Sequence, residues 1–346
     1  MENEIEKIKL DNHNNFTPNN PKINKIFFLQ IINLIFSLLF IFFLIIENKS
    51  KTNSFIGKIN KYGYINETKT LKKKISWLKM LTNNDELEYK GVLNCLINNP
   101  DNEFCVYHLI LPKAVLGKNR ILFGEKHDGC YVLLDDLSNI KIAYSFGISS
   151  NVIFDKILAD KGIDIYMYDH TINSLPYNNS RFHWKKIGLC GKKTKNKHLK
   201  NLEELIEENG HSNENNMILK IDIEHWEWES IIDLKEDTLK QFKYIAIEYH
   251  FKDEKNFKNE NIYYKVLKKI SRTHQSFYAR CNENRSKKIN FGNNRICHIL
   301  EVSYIIRKDN IFLKDEAIYP IYEFDFKKPV LGKLEMNLNI LKLFED

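Results

Sequence analysis

The sequence predicts an α/β fold with a mostly parallel sheet, preceded by one membrane-spanning helix. Three observations predict it. From about residue 140 onward, short runs rich in Ile, Tyr and Phe alternate with segments of helical spacing, the order that gives a parallel sheet with helices on its faces. Ile218, Leu219, Ile221 and Ile223 form an apolar run of the kind a central buried strand needs. Near the N-terminus, IFFLQIINLIFSLLFIFFLII (26–46) has no charge and only Gln30, Asn33 and Ser37 as polar interruptions. That length matches the roughly 20 residues needed to cross a bilayer core.

Residues 1–25 are polar and Asn-rich and read as a disordered cytoplasmic tail. The apolar run 26–46 is too long for a signal-peptide core, and no small-residue cleavage site follows it, so it reads as an anchor. Lys7, Lys9, Lys22 and Lys25 precede the run, and Lys49, Lys51, Lys58 and Lys61 follow it. The positive-inside rule therefore does not orient it. All 6 cysteines follow the run, as do acceptor triplets at Asn66, Asn178 and Asn284, and both favour an oxidising compartment for the body. The expectation is a single-pass protein of the endoplasmic reticulum or Golgi with a lumenal domain. Residues 47–83 read as a lysine-rich stem and 84–346 as the globular domain. The formal net charge of +7 sits largely in lysine clusters at 49–79 and 185–200, which read as solvated stem and loop. Basic residues do not interleave with aromatics along one face, so no nucleic-acid partner is expected.

Within the domain, Arg120 to Asp136 (RILFGEKHDGCYVLLDD) has two apolar runs about a Gly- and Asp-containing centre and predicts a hairpin. Ile140–Phe146 is the first strand of the alternating segment, and Val152–Lys161 the first helix, with Ile153, Ile157 and Leu158 on one face. Ile163–Tyr168 and Phe182–Leu189 are the next strands. Leu199–Asn209 is a helix that Gly210 can terminate. Met217–Ile223 is a fourth strand, Trp226–Leu234 a short helix, Phe242–Tyr249 a fifth strand and Tyr263–Ile270 a helix. Ser276–Ala279 and Ile296–Ile306 close the sheet. Cys281 and Cys297 flank a turn-rich segment and are expected to pair.

In an open α/β sheet, ligands bind beyond the carboxyl ends of the strands at the topological switch point. The first strand ends in SFGISSN, where Gly147 permits a tight turn and close backbone approach. The second ends at Asp169, where an acid can accept both hydroxyls of a ribose. The full G-x-G-x-x-G is absent, with Ser149 and Asn151 at the later positions. The fourth and fifth strands end in IDIEHW and IEYHF. Residues two apart on a strand share a face, so Asp222 with Glu224 and Glu248 with His250 are expected to converge if the strands are neighbours. Such a cluster can act as a general base or hold a divalent cation through oxygen ligands. Trp226 and Trp228 read as packing residues.

With these segments in view, Arg120 to Ile306 resembles the FkbM-type S-adenosylmethionine-dependent methyltransferases, in their membrane-anchored eukaryotic branch. The resemblance is carried by HDGCYVLLDD, AYSFGISSNVIFD, IDIYMYDHTINSLP, FHWKKIGL, MILKIDIEHWEWESI and YIAIEYHF. It implies a Rossmann-like seven-stranded sheet with S-adenosylmethionine bound at the first two strands. By that likeness Ser145, Phe146, Gly147 and Ile148 form the donor loop, Asp169 holds the ribose, and Asp222 lies by the methionine end. The chain departs from the family's pattern at Ser149 and at His225, where glycines are usual, at Asn151, where an acid is usual, and at Cys130.

Methyl transfer requires the acceptor oxygen, methyl carbon and sulfur to be held in line with water excluded. His250 is the first candidate for the base that takes the hydroxyl proton, with Glu224 and His225 as others. The expected acceptor is a small-molecule or glycan hydroxyl. No metal ligand set is predicted, although a cation bridging the acceptor is an alternative role for Asp222, Glu224 and Glu248. Two other readings stay open: a methyltransferase-fold binding protein without catalysis, and a glycosyltransferase, for which IDIE at 221–224 only loosely matches a D-x-D strand end.

Overall fold

The alternating order of the sequence is realised as one mixed sheet with helices on both faces. In this computed structural model, residues 106–324 are described, apart from 126–127, 193, 253–260, 283–287, 292–293, 318, 320 and 322. The tail, the apolar run 26–46, the stem, Asn66, Asn284, Cys95 and Cys105 lie outside the described residues. Among the described residues, no helix is long and apolar enough to cross a membrane.

Helix α1 (Tyr107–Ile110) leads into strand β1 (Lys113–Val115). The predicted hairpin is present: β2 (Arg120–Phe123) pairs antiparallel with β3 (Tyr131–Leu134). Then come β4 (Ile142–Phe146), α2 (Ile153–Asp160), β5 (Asp164–Tyr168) and β6 (Phe182–Lys185). Here one expectation is corrected. The predicted strand Phe182–Leu189 breaks after Lys185 and resumes as β7 (Gly188–Leu189), which pairs with β8 (Leu199–Lys200). Leu199 and Lys200 are therefore strand, and helix α3 (Leu202–Glu208) starts after them. A capping box sets that start: Asn201 Oδ1 accepts from Glu204 N at 2.9 Å, and Glu204 Oε2 accepts from Asn201 N at 3.0 Å.

The chain continues through β9 (Met217–Ile221), α4 (Glu227–Ile232), α5 (Glu236–Lys240), β10 (Phe242–His250) and α6 (Asn261–Thr273). It ends in β11 (His274–Cys281), the hairpin β12 (Lys288–Phe291) and β13 (Asn294–Cys297), β14 (Ile299–Ile306) and β15 (Phe312–Lys314). Strand β15 pairs antiparallel with β1. The run predicted as one strand, Ile296–Ile306, is divided at His298 between β13 and β14. Cys281 and Cys297 form a disulfide, as expected, while Cys130 and Cys190 are buried, with Arg280 Nη2 donating to Cys130 Sγ at 3.2 Å.

The main sheet has 7 strands in the order β11-β14-β10-β9-β4-β5-β6. The pairs from β10 through β9, β4 and β5 to β6 are parallel, and β14 runs antiparallel to both β10 and β11. The chain moves outward from β4 to β6, then returns to β9 on the other side of β4. The β4/β9 boundary is therefore the switch point, where side chains leaving the sheet open a crevice.

Period-two alternation gives the sheet two cores. On one face Ala143, Ile165 and Met167 pack with Phe154, Leu158 and the hairpin residues Tyr131, Val132 and Leu133. On the other, Tyr144 and Phe146 stack with Tyr166 and Tyr168 at ring separations of 5.2–6.2 Å. The hydroxyls of Tyr144 and Tyr168 both accept from Asn209 Nδ2, which ties this aromatic layer to the end of α3. Helix α6 buries Tyr263, Val266, Leu267 and Ile270, the i, i+3, i+4, i+7 spacing of an amphipathic helix. Each such aliphatic side chain contributes roughly 1.5–3 kcal/mol.

His274 is wholly buried and bonded through its ring to Phe242 O and Thr273 Oγ1. Burial pushes its pKa down to about 4. Between about pH 6.5, the ordinary histidine value, and pH 4, the unfolded chain takes up a proton that the folded chain refuses. His274 therefore removes stability as pH falls through this window. Urea unfolding of wild type and His274→Gln should show a shallower acid limb in the variant between pH 6.5 and 4. Equal slopes would reject the assignment.

Candidate active site

A cavity of about 480 Å³ opens at the switch point, lined by the ends of β4, β5 and β9 and by the loop between β2 and β3. Its floor is set by one close approach. Gly147 has φ +75°, and a Cβ there would lie 1.5 Å from Asp222 O. Gly147 N donates to Tyr168 O at 3.1 Å and Asp222 N to Phe146 O at 3.2 Å, so the turn is bonded to both flanking strands.

The predicted donor loop divides in two. Gly147 and Ile148 line the cavity, as expected. Ser145 and Phe146 do not. Both are buried within the sheet, and Phe146 stacks on Tyr168 at 5.2 Å. Asp169 lies in the cavity wall, but its carboxylate is already engaged. Oδ2 accepts from Ile148 N and Ser149 N at 2.9 Å, and Oδ1 accepts from Thr171 N at 2.8 Å and Thr171 Oγ1 at 2.6 Å. Burial opposes ionisation, yet the bonds from Ser149, Thr171 and Ile148 outweigh it and hold the carboxyl below its usual range. With four donors on its two oxygens, Asp169 clamps the loop from its place in the cavity wall.

Departures from the family pattern keep the backbone path. Ser149 sits at φ 49° and His225 at φ 82°, the left-handed region a glycine would adopt. Asn151 Nδ2 donates to Asp128 O at 2.8 Å while its Oδ1 accepts from Ile153 N at 2.9 Å. It thereby ties the hairpin loop to the start of α2, and an ionised acid could not donate the first of these bonds.

The second cluster is also rearranged. Strand β9 ends at Ile221, and Glu224 has φ 51°, so Asp222 and Glu224 do not share a strand face as expected. They still meet, because the left-handed turn at Glu224 and His225 folds the segment back. Asp222, Glu224 and His250 each present a ligand-capable atom, all within 4.8 Å of one another. His250 is 1% exposed; its Nε2 lies 3.3 Å from Glu248 Oε1 and 3.5 Å from Glu224 Oε2, and its Nδ1 lies 3.4 Å from Glu227 Oε1. Neither ring nitrogen makes a hydrogen bond of good angle, although Glu227 and Glu248 lie within reach of both.

Burial alone would lower the His250 pKa, but Glu227 and Glu248 outweigh it and push it up to about 11. The shift favours the protonated ring, which must give up its proton before it can take one from an acceptor. His225 points elsewhere: Nδ1 lies 3.1 Å from His250 O, and it does not line the cavity. Glu224 and Asp222 do line it. Burial pushes the Asp222 carboxyl up to about 7, against the opposing charge of Lys220 and with Glu248 adding to the rise.

Sequence reasoning missed several residues. Lys220 is buried in the middle of β9, its Nζ donating to Phe146 O at 3.0 Å and to Gly147 O, 3.8 Å from Asp222 Oδ2. A lone lysine within MILKI was its signal. Asp128 lines the cavity from the hairpin loop and accepts from Asn282 Nδ2, which also donates to Glu248 Oε2. The tryptophans separate. Trp228 is buried, stacks on Tyr249 at 4.6 Å and donates to His250 O, as packing requires. Trp226 is 60% exposed at the cavity rim.

No protein-family model matches the chain, and no curated protein matches it. Two substitutions test the geometry of the loop. Gly147→Ala should lose about 2–5 kcal/mol of stability, because it adds left-handed strain and a backbone clash. Ser149→Gly should gain up to about 1 kcal/mol by relieving strain alone. Denaturant midpoints measure both, and a neutral Gly147→Ala would contradict the close approach.

Proposed function

We propose that the chain is an S-adenosylmethionine-dependent methyltransferase that O-methylates a hydroxyl acceptor. One observation carries this reading. The switch-point cavity is walled by Asp128, Asp155, Asp169, Asp222 and Glu224 with Lys220 as the opposing charge, and the acids outnumber the lysine even with Asp155 and Asp222 pushed up by burial. A cleft lined by one sign of charge concentrates ligands of the other sign. S-adenosylmethionine, with a sulfonium, an ammonium and a carboxylate, carries a net positive charge. A nucleotide sugar carries negative phosphates that these acids repel, which weighs against the glycosyltransferase reading. The likeness to FkbM-type methyltransferases in the segments that build this cavity supports the same reading.

When bound, the donor supplies an electrophilic methyl group already activated on sulfur. The chain's own residues then position and deprotonate. Gly147 keeps the cavity floor clear of side chain, and Asp169 fixes the loop above it. Lys220 is the group of suitable charge for the donor's carboxylate. Asp222, poised near neutrality, takes the acceptor's proton. The exposed ring of Trp226 offers a flat apolar face to a sugar at the rim. The apolar run 26–46 anchors the enzyme in an endoplasmic-reticulum or Golgi membrane with this domain on the lumenal side.

Calorimetry on the full chain purified in detergent should show S-adenosylmethionine binding that a uridine-diphosphate sugar does not displace. Ser150 is exposed at the rim of the cavity, so Ser150→Trp should weaken donor binding at least tenfold with an unchanged circular-dichroism spectrum. Absent binding, or displacement by the nucleotide sugar, would reject the reading. Alkaline extraction of membranes should retain the full chain and release a chain lacking residues 1–46; release of both would reject the anchor.

A further inference from the structure

We propose that Asp222, Glu224 and His250 hold a divalent transition-metal cation at the inner end of the cavity, with Mn²⁺ the ion that fits the ligand set. Ligand atoms about 2.1 Å from one ion lie roughly 3–4.2 Å apart. The candidate atoms, all within 4.8 Å of one another, need only a small closure to reach that spacing. Glu224 can supply it, because its side chain is 69% exposed on a turn.

A second observation points independently to a ligand. His250 is 1% exposed, yet both of its ring nitrogens lack a hydrogen bond. Its Nε2 is directed at the Glu224 and Glu248 carboxylates at 3.5 and 3.3 Å, longer than hydrogen bonds to charged partners. Buried polar atoms are nearly always bonded, and an exception marks a place for an ion or a catalytic role. The ring is surrounded by Glu224, Glu227 and Glu248, with Asp222 beside it, an excess of negative charge that a dication offsets. One imidazole with two carboxylates suits Mn²⁺ or Zn²⁺ better than the all-oxygen sets of Ca²⁺. Glu248 fits a supporting position, since Asn282 Nδ2 holds its Oε2 at 3.0 Å.

Three protein ligands leave positions open for oxygen atoms. The site would therefore favour an acceptor with two adjacent hydroxyls, which a cation chelates. This role in catalysis rests on the transferase reading; the site itself does not.

The test is Mn²⁺ titration of the metal-stripped full chain in detergent, followed by calorimetry and electron paramagnetic resonance with no donor present. The expected result is one site per chain, weakened at least tenfold by Glu224→Gln and by Asp222→Asn. Glu214→Gln, on a loop elsewhere, should leave it unchanged, as should Ser150→Trp, which blocks only the donor. No binding up to millimolar Mn²⁺ by the folded chain, or undiminished binding in folded Glu224→Gln, would overturn the proposal. Donor binding that survives such a result would leave the methyltransferase reading standing without the metal.

Discussion

The site depends on the contact between the β4 turn and the end of β9. Gly147 lies so close to Asp222 that no side chain fits between them. The approach follows from the parallel register: Phe146 is opposite Ile221, so both strands end at one level and their exits collide unless one residue has no Cβ. The bond from Asp222 N to Phe146 O extends the ladder one step past the strand, and Lys220 caps the freed carbonyls from within. The floor of the cavity is therefore a property of the sheet.

The same edge concentrates acids where water is scarce. An isolated carboxylate there would lose several kcal/mol of solvation. The chain offsets this by pairing: Asp169 with loop donors, Glu248 with Asn282, Glu227 with the His250 backbone N–H. His250 is the central cation of the group. One strand register further along, Glu301 lies opposite Glu248 and is paired with Arg280 at 2.7 Å, which keeps two buried acids on adjacent strands compatible. Acids held this way are available to a cationic ligand without rearrangement of the sheet.

Much of the fold was legible because central strands buried on both faces leave a continuous apolar signature, and the helices between them carry a different period. Gly147, Asp169 and the acids after β9 were legible as positions because strand ends must hold the ligand. Their individual roles were not. Nothing local shows that four bonds tie Asp169 to its own loop. Asp222 and Glu224 were placed on one strand face because the left-handed turn at Glu224 and His225 has no glycine to announce it. The carboxylates of Glu227 and Glu248 around His250 have no sequence signal, because only the tertiary fold brings them together. The Phe182–Leu189 break depends on pairing with Leu199 and Lys200 across a loop, a contact without local pattern.

The central claim is that a cationic nucleoside donor occupies the acid-walled crevice between Gly147, Asp169 and Asp222. A crystal structure of the chain soaked with S-adenosylmethionine tests it most directly. The account predicts donor density in that crevice, with the sulfonium toward Asp222 and the Gly147 turn beneath it. Density for the donor at another place, or a well-ordered empty crevice at saturating donor, would contradict it.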